Sequence, residues 1–169
     1  MKIRLLRYTT DAELLCGAAA LTSTRSGSPS EILEKMDSET SKRIIRRVTG
    51  YGHASVIEHA SFTFSIEDVS RAMTHQLVRH RIASYTQQSQ RYVKYDTLEK
   101  YVTPHSIENN TEAKKLFEET LQKISDAYQN LLKCGIPKED ARFILPNAAK
   151  TNIIVTMNVR ELHHFFNLR

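Results

Sequence analysis

Four side chains suited to holding a flat anion fall within thirteen positions: Arg79, His80, Arg81 and Arg91. Three of them are consecutive. Neighbours on a helix point about 100° apart, so Arg79, His80 and Arg81 would aim three ways and meet three different groups. The gap before Arg91 holds Ser84, Thr86, Gln87, Gln88, Ser89 and Gln90, rich in hydrogen-bonding groups and poor in apolar ones. Hydroxyls, amides and backbone N–H groups on a loop can wrap a phosphate or a base. Arginine adds a planar fork that grips phosphate with two prongs. A plainer reading competes: a basic helix end is favourable with the helix dipole and needs no ligand.

The elements around these residues can be read from periodicity. Val69, Met73 and Leu77 recur every four residues with Ala72 beside them, which predicts a helix over Val69–Val78 with Asp68 as its N-cap. A loop is predicted from Arg81 onward. Ser61–Glu67 alternates, with Phe62, Phe64 and Ile66 on one side, and predicts a half-buried strand. Lys2–Leu6 alternates loosely and reads as a first strand; Ile153–Met157 is β-branched and reads as another. Helices are predicted from Thr10 or Asp11 to Leu21, Glu31–Met36, Glu39–Val48, Thr111–Cys134, a short one after Pro137, and Arg160–Arg169. In the Thr111 helix, Ala113, Leu116, Phe117, Leu121, Ile124, Tyr128, Leu131 and Leu132 form one apolar stripe, Thr111 can cap the start and Gly135 the end. Helices joined to few strands without strict alternation give an α+β class, and 169 residues with no linker or repeat give one domain over 1–169.

Composition narrows the rest. Apolar residues make up 40% and charged residues 25%, as in ordinary globular proteins. No apolar run approaches the roughly 18 residues of a membrane span, and MKIRLLRYTT lacks the apolar core of a signal peptide. Cytoplasmic residence with no membrane partner is the expectation. Cys16 and Cys134 stand far apart without ligand spacing, and His163 and His164 would face apart on a helix, so no metal site is expected. A net charge of +5 and a pI near 9.2 suit any polyanion, nucleic acid or small nucleotide alike.

The segment Arg79-His80-Arg81, seven residues, Ser89, one residue, Arg91 resembles the signature of the flavin-dependent thymidylate synthases. Gly52-His53-Ala54-Ser55-Val56-Ile57-Glu58-His59 is similar to that family's upstream histidine segment. Leu145-Pro146-Asn147, Asn158-Val159-Arg160 and the closing Phe165-Phe166-Asn167-Leu168-Arg169 resemble its later landmarks. The resemblance implies a twisted antiparallel sheet packed with helices, assembled as a homotetramer with active sites between subunits. It also implies the reaction: a methyltransferase that reductively methylates dUMP to dTMP, with methylenetetrahydrofolate as carbon donor and NADPH-reduced FAD as hydride source.

Site residues follow from the same resemblance. Gln76, Arg79, Gln87, Gln88, Ser89, Gln90, Arg91 and Asn152 are expected at the dUMP. Ser55, Arg79, His80, Arg81, Ile82, Asn167, Leu168 and Arg169 are expected at the FAD. His53, Arg79, Ser89 and Arg91 form the expected catalytic set, with His53 near the nicotinamide or folate. Ser89 reads as a nucleotide ligand rather than a nucleophile, since its neighbourhood holds no base oriented by a carboxylate. His53 has a bland alternative as a turn residue after Gly52. Glu58 and His59 could pair structurally, and Tyr85, Tyr92 and Tyr95 could stack on rings or simply pack. Asn152 departs from relatives that carry arginine there, so nucleotide affinity would lean more on Arg91, or on Lys150 in its place.

The resemblance further implies that relatives continue past Asn-Leu-Arg, with a flavin-contacting histidine or asparagine and an arginine that polarises the uracil. A non-catalytic flavin- or nucleotide-binding piece is therefore an alternative to the full enzyme. A basic RNA- or DNA-binding module is a third reading, with neither a GxxG loop nor an RNP-like aromatic strand behind it.

Overall fold

Strand β4 (Lys150–Asn158) shows how the chain chooses its layers. Thr151, Ile153, Val155 and Met157 are buried, while Asn152 and Ile154 face out. That is the two-residue period of a strand with one covered face. The computed structural model describes residues 1–95 and 97–168, with the backbone alone at Leu98. Its other strands are β1 (Lys2–Tyr8), β2 (Ser61–Ser70) and β3 (Ala83–Gln87). The four form one antiparallel sheet in the order β1-β2-β4-β3, and with its helices the fold is α+β. The helices are α1 (Ala12–Thr22), α2 (Pro29–Glu34), α3 (Ser38–Gly50), α4 (Arg71–Leu77), α5 (His105–Glu108), α6 (Thr111–Lys133), α7 (Lys138–Ala141) and α8 (Val159–Leu168). Among the described residues, no helix is long and apolar enough to cross a membrane.

The residues cluster into two compact units. The first comprises 1–3, 66–79 and 86–153. Its core joins Leu121 and Tyr128 of α6 to Tyr95, Tyr101, Ala141 and Ala149, with Phe117, Leu131 and Leu132 packed against them. Leu116 belongs to the expected stripe yet is 67% exposed, because it lies about 140° around the helix from Leu121, off the face that α6 presents to this core. The second unit comprises 4–65, 80–85 and 154–169. Here α1 lies against α3 so closely that a Cβ on Gly17 would run into the Ser41 side chain and backbone. A 3₁₀ turn over Ala54–His59 packs on α1 and α8.

Several boundaries differ from expectation. The strand predicted to stop at Glu67 runs to Ser70, and the helix after it starts at Arg71. Asp68 is not its cap: it has φ 55°, and the Ser70 hydroxyl accepts from Met73 N–H instead. Ala83–Gln87, predicted as loop, is a strand; the Gln87 side chain is answered by hydroxyls 13 and 64 positions away. The second helix starts at Pro29, held by a reciprocal Ser28–Glu31 capping box. Asn110 rather than Thr111 caps α6, while Gly135 follows its end at φ 83° as expected.

Candidate active site

In the first unit, α4 is anchored at its start by a neighbour in space. Arg71 N–H and Ala72 N–H donate to the carbonyls of Ala149 and Asn147, each at 3.0 Å. These are first-turn donors that a helix cannot satisfy itself. Thr74 is fully buried; its hydroxyl donates to Arg71 O at 3.1 Å and accepts from Gln87 Nε2 at 2.8 Å. The same Gln87 nitrogen reaches the buried Thr151 hydroxyl at 3.2 Å. Two hydroxyls on the amide nitrogen fix which way the amide is turned and direct its carbonyl oxygen away from them.

The loop after β3 is held as firmly. Arg71 Nη2 donates to Gln88 O at 2.6 Å, and Gln88 N–H donates to Asn152 O at 2.9 Å. Ser89 O accepts from Tyr92 N–H and Val93 N–H, and Ser89 Oγ accepts from Arg91 N–H at 3.2 Å. Tyr95 is buried and donates its hydroxyl to Lys150 O at 2.6 Å. The Arg91 guanidinium stays exposed, 5.8 Å from the Tyr92 ring centre. Gln76 and Arg79, on and just after α4, are exposed too. The expected dUMP residues of this unit thus lie on and just after α4, at the end of β3, on β4 and in the loop that follows β3.

Asn152 carries a structural duty that sequence reading did not assign. Its Oδ1 accepts from Asp68 N–H at 3.0 Å, at a residue whose positive φ is uncommon for a side-chain-bearing amino acid. Its two amide donors stay free of that bond and are open to a ligand. Asn152→Ala is therefore expected to lower unfolding free energy by about 0.5–1.5 kcal/mol in addition to weakening dUMP binding. Urea denaturation reads the first effect and nucleotide titration the second; unchanged dUMP affinity would remove Asn152 from the ligand set.

Of the three consecutive cationic residues, Arg79 falls in the first unit, and His80 and Arg81 in the second, where they part company. His80 is 7% exposed, with Nδ1 3.8 Å from Glu161 Oε1 and its ring 4.9 Å from that of Phe165. Its carbonyl accepts from the Tyr85 hydroxyl at 2.8 Å. Burial first, and then the charge of Glu161, push the Tyr85 phenol above its ordinary range, which keeps it a donor. Arg81 and Ile82 point outward. The His80 ring is thus packed inward against Phe165 and Glu161.

Ser55 lines a cavity of about 680 Å³ within this unit, together with His53, Arg47, Val48, Ile44 and Ala20. Gly52, at φ 87°, makes the turn that leads in. The His53 backbone N–H, rather than its imidazole, bonds Val48 O. Glu58 binds Arg160 across the unit. Asn167 and Leu168 lie exposed at the end of α8, and Arg169 falls outside the described residues.

The family model described as "Thymidylate synthase complementing protein" matches residues 4–169. A flavin-dependent thymidylate synthase of Geobacter sulfurreducens is 50% identical over the whole of this chain and 73% of its own length. The chain belongs to the flavin-dependent thymidylate synthase family. An enzyme of that name from Pyrococcus abyssi is 46% identical over the whole chain and 70% of its own length. The fold of this thymidylate synthase family member is also that of the Helicobacter pylori ThyX solved with FAD and dUMP. The TM-score is 0.75 at 22% identity, covering 100% of this chain and 84% of that one.

Sequence reading of this flavin-dependent thymidylate synthase missed Arg71, Thr74, Thr151 and Glu161. The first three carry no motif of their own; their value comes from bonds to residues 13 or more positions away. Glu161 left a trace. It stands four residues before Phe165, on the same helical face, and a carboxylate in an apolar stripe is rarely buried without a partner.

Proposed function

We propose that the chain, as one domain over 1–169, reductively methylates dUMP to dTMP, taking the carbon from methylenetetrahydrofolate and reducing power from NADPH through FAD. The observation that carries this reading is the match to enzymes of that name along the full chain. In the first unit, Arg91 offers an exposed guanidinium for the phosphate, with Ser89 and Gln90 beside it in the loop. Gln87, its amide turned by Thr74 and Thr151, presents a carbonyl oxygen suited to the uracil N3–H. Arg79 and Gln76 add cationic and amide groups for the ring oxygens, where negative charge grows as C5 becomes nucleophilic.

The residues of the second unit suit a flavin dinucleotide. Outward Arg81 and Ile82 pair a charge with an apolar surface, and the cavity at Ser55 joins an apolar wall to Arg47 and His53. Bound FAD supplies the hydride chemistry. The chain's own groups bind, orient and shield. His53 is assigned to the folate or nicotinamide end. A homotetramer is part of the proposal, supported by the exposed Ile3, Leu5, Leu6 and Tyr8 of β1, and so is residence in the cytoplasm.

The test is an absorption spectrum of the purified chain with added FAD, then tritium release from C5-labelled dUMP with folate and NADPH. Flavin binding plus tritium release is expected, at a sedimentation mass of four chains. Flavin and dUMP binding without release would favour a binding piece over an enzyme. A colourless protein that takes up neither ligand would overturn both.

A further inference from the structure

Among the described residues Glu161 is the one buried acidic side chain, 5% exposed in the first turn of α8. An acid in that position normally sits in water and complements the helix dipole. The cap is already supplied here: Asn158 Oδ1 accepts from Glu161 N–H at 2.9 Å. The carboxylate points instead at His80 Nδ1, 3.8 Å away, too long for a direct hydrogen bond. Phe165 lays an edge against the imidazole, and His164 stands 6.3 Å off. The third hold on His80 is the Tyr85 hydroxyl at its carbonyl.

Burying such a pair brings little stability, since apolar residues of similar volume do as well or better. What the pair does supply is a defined position. A carboxylate out of water is costly without a cation or donor beside it, so His80 is held to one place and one ring orientation. The next two residues, Arg81 and Ile82, are exposed. We propose that Glu161 is a positioning residue: through the His80 imidazole it fixes the turn from which Arg81 and Ile82 project toward the flavin. The flavin end of this statement rests on the function proposed above; the fixing of the turn does not.

The experiment uses the full chain with Glu161→Leu, Glu161→Gln and His80→Leu, and the Glu161→Leu/His80→Leu double variant. Three quantities are measured: melting temperature without flavin, the rate of tryptic cleavage after Arg81 without flavin, and the dissociation constant and spectrum of bound FAD. The double variant replaces both partners by apolar side chains, so its melting temperature should hold within a few degrees, whereas Glu161→Leu alone leaves the buried imidazole without its partner and should melt lower. Cleavage after Arg81 should rise, and FAD affinity fall, by about tenfold or more, with an altered flavin band. Glu161→Gln, which keeps the length and an acceptor oxygen, should recover part of both. The double variant should lose no more than the worse single one, since the two residues act as a unit.

Unchanged cleavage and FAD affinity in a folded Glu161→Leu protein would overturn the proposal. So would changes that merely follow the melting temperature, or losses that multiply in the double variant. If Glu161→Leu does not fold, the Glu161→Gln protein is judged by the same criteria. A wild-type chain that takes up no FAD, yet shows the expected cleavage pattern, would leave the positioning role standing and sink the flavin reading instead.

Discussion

Arg91→Ala is expected to weaken dUMP binding by about tenfold to a hundredfold, while FAD affinity changes by no more than about twofold. The magnitude is that of one charge-assisted contact to phosphate, roughly 1.5–3 kcal/mol. The selectivity follows from where Arg91 stands. Its backbone N–H is spent on Ser89 Oγ at 3.2 Å, so the loop keeps its shape without the side chain. Gln88 stays tied to Arg71 and Asn152, and Tyr95 to Lys150. What the substitution removes is an exposed guanidinium and its 5.8 Å approach to the Tyr92 ring. Calorimetric titration with dUMP and with FAD separates the two affinities. Equal losses for both ligands would mean a damaged fold and would end the assignment of Arg91 to the phosphate. Because the contact is exposed, rising salt should weaken dUMP binding less steeply in the variant than in the wild type.

Gly17→Ala tests the packing of α1 on α3 in the second unit. A Cβ on Gly17 would lie 2.5 Å from Ser41 Oγ, 2.9 Å from Ser41 Cβ and 3.0 Å from Ser41 Cα. The last is backbone, so rotating the serine side chain cannot make room. Overpacking of this kind costs about 1–3 kcal/mol, offset by the roughly 0.5–1 kcal/mol that alanine gains over glycine in a helix. A net loss of up to about 2 kcal/mol is expected in thermal or urea unfolding. Since Ala20 and Ile44, on the same two helices, line the cavity at Ser55, flavin affinity should fall with stability. Gly17→Leu is expected to prevent the two helices from meeting at all. Ser41→Gly removes the Oγ and Cβ contacts but not the Cα one, so it should recover part of the Gly17→Ala loss, and Ser41 Oγ has no hydrogen-bond partner among the described residues to forfeit. Strict additivity of the two substitutions would show that the contact is not the cause.

Much of this molecule is legible in its order of residues. The period of two in Ile153–Met157 is a strand because side chains of an extended chain alternate faces. The stripe from Phe117 to Leu132 is a helix because it returns every three or four positions. The spacing of Arg79, His80, Arg81, Ser89 and Arg91 named the family, and with it the chemistry. Each of these signals is local, or is a string of residue types that needs no partner to be recognised.

Other features were settled by groups that meet across the fold. Ala83–Gln87 carries the composition of a loop, and is a strand because a neighbouring strand takes up its backbone groups. Gln87 is oriented by hydroxyls 13 and 64 positions away. His80 looks like a ligand-seeking cation in one dimension and is turned inward by Glu161 and Phe165, more than 80 positions on. Asn152 reads as a weakened phosphate ligand and also holds Asp68 at a positive φ. Residue type and spacing thus say which chemistry a chain can host. Which of several similar polar side chains faces the ligand depends on burial and on hydrogen bonds between distant segments, and those exist only once the chain has closed on itself.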